Sequence, residues 1–149
     1  RSEDDRLAII EGIQDGTIDV IASDHRARSK DTKAQPFSAA SVGASGIETL
    51  FSITLDLVHK RIIDINKAIS FLTINPARIL GIDSPSLEEK KVADFIVFDE
   101  NEPHTIKQEN LKTSPTPFDK KKIHSKILAT YINGQVAFMN QIFKNKIIK

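Results

Sequence analysis

Apolar and polar positions follow more than one period along this chain, and each change of period marks an element. Leu7, Ile10 and Ile13 recur at helical spacing. Ser2 ahead of Glu3, Asp4 and Asp5 supplies a cap, with Asp5 at the reciprocal position and acids at the positive end of the helix dipole. Asp15-Gly16 stops that helix and turns the chain. In Thr17-Ile18-Asp19-Val20-Ile21-Ala22 all but Asp19 are apolar or β-branched, and the run ends in Ser23-Asp24-His25. This predicts a buried parallel strand that delivers Asp24 and His25 at its carboxyl end. Helix, tight turn and buried strand make one α/β unit.

Periodicity then lapses. Residues 26–46 are polar, interrupted by Pro36 and carry Gly43 and Gly46, so they read as a long loop of functional or mobile character. The glycines permit close backbone approaches. A strong helix follows from Ile47 to Lys60, with Ile47, Leu50, Phe51, Leu55 and Val58 in one stripe and Ser45 as its cap. Asp64 caps the next helix, which carries Ile65, Ala68, Ile69 and Leu72 on one side. Asn75-Pro76-Ala77-Arg78-Ile79-Leu80-Gly81 reads as a third, with Asn75 as cap, Pro76 in the first turn and Gly81 as its close.

Near Asp83-Ser84-Pro85-Ser86 the pattern changes from helices to strands, which places a domain boundary there. Ala93 to Asp99 is a strand, and Thr105-Ile106 begins another. Ile127 to Ile132 and Gln135 to Phe138 flank Asn133-Gly134, the preferred two-residue hairpin turn. The expected division is 1–83 for a barrel portion, 84–140 for a β module and 141–149 for a basic, solvated tail.

Composition narrows the partners. A net charge of +1 with 28% charged residues favours neither nucleic acid nor an anionic membrane. No window approaches the roughly 20 apolar residues of a membrane span, and no secretory signal is visible. The absence of Cys rules out disulfides and thiolate metal sites and makes a reducing cytoplasm the default. A start at Arg1-Ser2-Glu3 leads to the expectation of a piece of something longer.

Four stretches, in order, carry a resemblance. They are Asp15 to His25; Lys33-Ala34-Gln35-Pro36-Phe37 leading to Gly43-Ala44-Ser45-Gly46-Ile47-Glu48-Thr49; Asn75 to Gly81; and Ala93 to Asp99 with the later Ile132-Asn133-Gly134-Gln135-Val136 hairpin. Together the sequence resembles the carboxyl-terminal part of the dihydroorotases, in the cyclic amidohydrolase family. The Ser-Asp-His strand joined to the glycine-containing loop points there most specifically. The resemblance implies an α/β fold, the C-terminal part of a TIM-barrel (β/α)8 metal-dependent hydrolase with part of a small β-sandwich module. It implies interconversion of dihydroorotate and N-carbamoyl-aspartate with one or two zinc ions, in a homo-oligomer or beside aspartate carbamoyltransferase. Asp24 matches the aspartate that ligates metal and carries a proton between the attacking water and the leaving nitrogen. Val42 and Gly43 match a loop whose backbone amides meet the substrate. Arg28 stands where the family commonly has His, and its planar fork suits a substrate carboxylate. The family's remaining metal ligands have no counterpart in this sequence, and a whole barrel needs about 250 residues. A non-catalytic relative, or an allantoinase- or hydantoinase-like enzyme, is the alternative reading.

Each of these residues also has a plainer reading. Strand-end Asp often caps a following helix. His25, pointing opposite to Asp24, reads as a packing histidine behind the site. Arg26, Arg28, Lys30 and Lys33 form a basic loop of the kind usually solvated. Val42 and Gly43 can be a simple turn before a helix. His59, His104 and His124 read as surface residues, and Phe51, Phe71, Phe95 and Phe98 as core.

Overall fold

Ser2 and Asp5 close a reciprocal cap on α1 (Glu3–Asp15), the Asp5 N–H reaching Ser2 Oγ at 3.1 Å and the Ser2 N–H reaching Asp5 Oδ2 at 3.0 Å. Two of the orphan donors of a helix start are thereby satisfied. A computed structural model describes this chain over residues 2–83, 86–113 and 115–147. Its further elements are α2 (Lys30–Lys33), α3 (Leu50–His59), α4 (Ile65–Ser70), α5 (Ile74–Leu80), β1 (Phe95–Thr105), β2 (Lys122–Ile132), β3 (Gln135–Met139) and α6 (Gln141–Ile147). No helix among the described residues is long and apolar enough to cross a membrane.

Ile13, Leu55, Ile63, Ala68 and Phe71 make the buried core, and Ile18, Ile21, Phe51, Val58 and Phe98 pack against it. α1, α3 and α4 therefore share one apolar interior. Polar ties reinforce it: the Lys67 ammonium donates to the Gln14 carbonyl and the Gln14 amide to the Ile62 carbonyl. Asp64 caps α4 as expected, accepting from the Lys67 N–H at 2.9 Å.

β1, β2 and β3 form one antiparallel sheet in that order. The β2–β3 hairpin turns on Asn133 and Gly134, both at positive φ (51° and 73°), as a type I′ turn requires. The sheet lies on α3. Ser125 Oγ donates to Ser52 Oγ at 2.8 Å, the Phe51 and Phe98 rings meet edge to face at 4.9 Å, and Lys121 pairs with Asp56 at 2.9 Å.

Several expectations are corrected. Residues 17–25 hold no ladder partner among the described residues and are half-buried or exposed, so the buried parallel strand is not formed here. Pairing needs neighbouring strands, and the described residues offer none at this place. Thr105 ends β1 rather than opening a new strand, because a bulge between Asp99 and Pro103 breaks the alternation. Pro103 is tolerated because β1 is an edge. α5 begins at Ile74 after Thr73, and the Asn75 side chain donates to the Asp19 carbonyl at 2.7 Å instead of capping. α3 starts at Leu50, and Ser45 does not cap it. The basic tail is helical over Gln141–Ile147. Of the expected boundary, residues 84 and 85 lie outside the described residues.

Candidate active site

Asp24 has φ of +40°, a left-handed setting that Asp tolerates better than most residues. The turn sends its carboxylate outward, 84% exposed, with Arg26 Nε at 3.3 Å. An ion pair this exposed contributes little to stability. His25 Nδ1 accepts from the N–H groups of Gly46 and Ile47, each at 3.3 Å. The two neighbours thus have different surroundings, Asp24 in solvent and His25 on the backbone of residues 46 and 47.

The segment 41–47 lies against residues 23–28 and is held by its backbone. Lys33 Nζ donates to the carbonyls of Ser41 (3.0 Å) and Gly43 (3.1 Å). Arg28 Nε donates to the Val42 carbonyl at 3.0 Å, and the Arg26 N–H to the Ala44 carbonyl at 3.0 Å. Four successive carbonyls are therefore occupied. On the donor side, the Ser41 N–H goes to Thr32 and the Ser45 N–H to Pro115. The N–H groups of Val42, Gly43 and Ala44 have no protein acceptor among the described residues. The carbonyls of Val42 and Gly43 are tied to cations and that of Ala44 to a backbone N–H, which leaves the three N–H groups as the donors that an anionic or carbonyl oxygen can meet.

Contact between segments is close. A Cβ at Gly46 would stand 2.9 Å from the Ser23 carbonyl oxygen, and one at Gly43 would stand 2.8 Å from the Cβ and carbonyl oxygen of Arg26. Beneath the loop a cavity of about 390 Å³ runs from Ser23 and Gly46 along Ile9, Ile18, Val20, Leu50 and Phe118. Ser45 Oγ is buried without a partner among the described residues. Just beyond, Glu48 receives the N–H groups of Lys112 (3.1 Å) and Thr113 (3.0 Å) and the Thr113 hydroxyl (3.0 Å). Burial pushes this carboxyl upward, but those three donors outweigh it and hold Glu48 below the usual carboxylate range.

The structure brings Asp24, Arg28, Val42 and Gly43 onto one pair of crossing segments. Arg28 is fastened to the loop through Nε. His25, Lys33 and Glu48 also serve this region. Lys33 opens the Lys-Ala-Gln-Pro stretch, but a flexible cation in a basic loop carries no sign of its acceptor. His59 and His124 are exposed, as expected of surface residues, and they also meet. Their rings lie 5.1 Å apart, and His59 Nε2 donates to the carbonyls of Glu100 (2.8 Å) and His124 (3.1 Å).

Among the described residues no three His, Cys, Asp or Glu side chains come together. Asp24 offers one exposed carboxylate beside an arginine, so the residues present do not fit a complete zinc site.

The sequence signature of the amidohydrolase family matches residues 1–137. A dihydroorotase of Clostridium acetobutylicum is 40% identical over 141 residues, covering 93% of this chain and 33% of that protein. The chain thus spans about a third of the length of the curated relatives it matches. Among solved structures, the L-hydantoinase (dihydropyrimidinase) of Arthrobacter aurescens superposes with a TM-score of 0.86 at 22% identity, over 93% of this chain and 33% of that one. The inactive dihydroorotase-like domain of the Chaetomium thermophilum CAD-like multifunctional protein superposes with a TM-score of 0.69 at 16% identity, over 93% and 37%.

Proposed function

Because this chain belongs to the amidohydrolase family, we propose that it is the distal part of a dihydroorotase-like hydrolase. In this reading residues 1–83 supply the last strands and helices of a (β/α)8 barrel. Residues 84–140 supply distal strands of a composite β-sandwich, and 141–149 a basic tail. The reaction is the opening of the cyclic amide of dihydroorotate by water, and its reversal from N-carbamoyl-L-aspartate.

The observation that carries the reading is the 41–47 loop, which offers the unpartnered N–H groups of residues 42–44 within a chain 40% identical to a dihydroorotase. Val42 and Gly43 present main-chain donors to the substrate. Arg28 keeps its terminal nitrogens for a substrate carboxylate while Nε holds the loop. Asp24 takes a proton from the attacking water and returns it to the leaving ring nitrogen as the C–N bond breaks. Zinc, one ion or two, would need donors beyond this chain, with Asp24 contributing one oxygen.

A second reading, a non-catalytic structural partner of aspartate carbamoyltransferase, is favoured by Arg28 standing where the resembled enzymes commonly carry His. Steady-state turnover of dihydroorotate by the protein, with zinc supplied, separates the two. The enzyme reading expects turnover, and a loss of about 10²- to 10⁴-fold in kcat for Asp24→Asn. An inactive parent that binds aspartate carbamoyltransferase establishes the second reading. Faster turnover of hydantoin or allantoin reassigns the substrate.

A further inference from the structure

We propose that His25 is a positioning residue: through Nδ1 it sets the register of the 41–47 loop and hence where the free donors of residues 42–44 stand. The inference rests on the reading that this loop meets the substrate.

Two backbone N–H groups, of Gly46 and Ile47, converge on His25 Nδ1 at 3.3 Å. An atom facing two donors must be the acceptor, so the imidazole carries its proton on Nε2. Backbone bonds from the Arg26 N–H to Ala44, from Ser45 to Pro115 and from Ser41 to Thr32 hold the loop short of Gly46, and its other side-chain ties are of a different kind from that of His25. Lys33 and Arg28 are long cations on carbonyl oxygens. An ammonium on a four-carbon stem follows an acceptor that slides, and its bond specifies little direction. An imidazole lone pair lies in the ring plane and has two torsions behind it, so it fixes position.

Backbone packing points the same way. Gly46 lies so close to the Ser23 carbonyl oxygen that a Cβ would stand 2.9 Å from it. The loop end is thus clamped between the residue before Asp24 and the residue after it. The same two N–H groups open the turn in which the Thr49 N–H returns to the Gly46 carbonyl at 3.2 Å, directly ahead of α3. His25 therefore joins three things through one atom: the Asp24 backbone, the donor loop and the start of α3.

The test compares His25→Ala, His25→Asn and His25→Gln in the whole protein that carries this chain. Asn places an oxygen near the Nδ1 position, and Gln places one near Nε2. Amide hydrogen exchange is read at Gly46 and Ile47, with α3 amides as the control for folding. Loss of one accepted hydrogen bond predicts exchange about tenfold faster in His25→Ala. Asn restores protection and Gln does not. If the protein turns over dihydroorotate, KM rises about tenfold in His25→Ala while kcat changes little, as expected when binding is lost uniformly.

Parent-like protection in His25→Ala, or equal restoration by Asn and Gln, overturns the proposal. If His25→Ala loses α3 protection as well, the contrast of Asn with Gln alone decides it. Should the parent show no turnover, the enzyme reading fails, but the exchange contrast still judges His25.

Discussion

Gly43 is the residue at which the loop has least room to change. Its φ of +120° is closed to ordinary L side chains, and a Cβ would stand 2.8 Å from the backbone of Arg26. We expect Gly43→Ala to cost roughly 1–3 kcal/mol in urea unfolding and, under the proposed dihydroorotase reading, to raise KM for dihydroorotate, since the donors of residues 42–44 move with the backbone. Parent stability in this variant would mean that the close approach is relaxed at no cost. At this scale the sequence was informative wherever a residue type has one physical use. Gly43 and Gly46 mark sites of close approach, and both are such sites in the structure. It was uninformative where a side chain has several possible partners. Ser45 and Asn75 fit local cap rules, yet Asn75 reaches Asp19, and Ser45 is buried with its hydroxyl unsatisfied among the described residues. Arg28 and Lys33 gave no hint that backbone carbonyls were their acceptors.

Among elements, α3 bears the most. One side meets the α1–α4 interior and another meets the sheet. Asp56 sits on that seam, 3.0 Å from Lys60 and 2.9 Å from Lys121. Burial raises its pKa, but the hydrogen bonds and charges of Lys121 and Lys60 prevail and lower it below the ordinary carboxylate value. A carboxyl depressed on folding stabilises the protein above its unfolded pKa of about 3.9, and that contribution is lost as pH falls through the folded value. Asp56→Asn should therefore be less stable than the parent by about 1 kcal/mol near neutral pH, with the gap closing in strong acid. Urea midpoints measured across that range check it, and a gap that widens towards acid would contradict it. Helix existence was legible from the 3.6-residue stripe and from Asp64. The full length of β1 was not, because Asp99-Glu100-Asn101-Glu102-Pro103 reads as loop while the structure carries it through a bulge at an edge.

For the molecule as a whole, burial is uneven. Leu7, Ile9, Ile79, Leu80 and Leu87 are each at least half exposed, and the cavity beside residues 18–23 has an apolar lining. Where such side chains adjoin one another, they mark an interaction face. The polypeptide of residues 1–149 prepared alone should self-associate or bind a hydrophobic dye, as read by light scattering and fluorescence. A monodisperse monomer without dye binding would remove the need for covering structure. The run Thr17 to Ala22 shows why this scale was only partly legible. Its apolar content announces that it prefers burial, but composition does not name the strands that would bury it.

The pairing of Ser52 with Ser125 spans 73 positions of chain. A ribosome adding about 5–20 residues each second takes roughly 4–15 s to make that stretch. For most of that interval α3 is complete while the strand that covers it is not. The β2–β3 hairpin, by contrast, closes over a two-residue turn and can form within about 1–10 μs of emerging. Translation, rather than the speed of any folding step, therefore sets how long Ser52 waits for its cover, and for that time this face of α3 is available to chaperones.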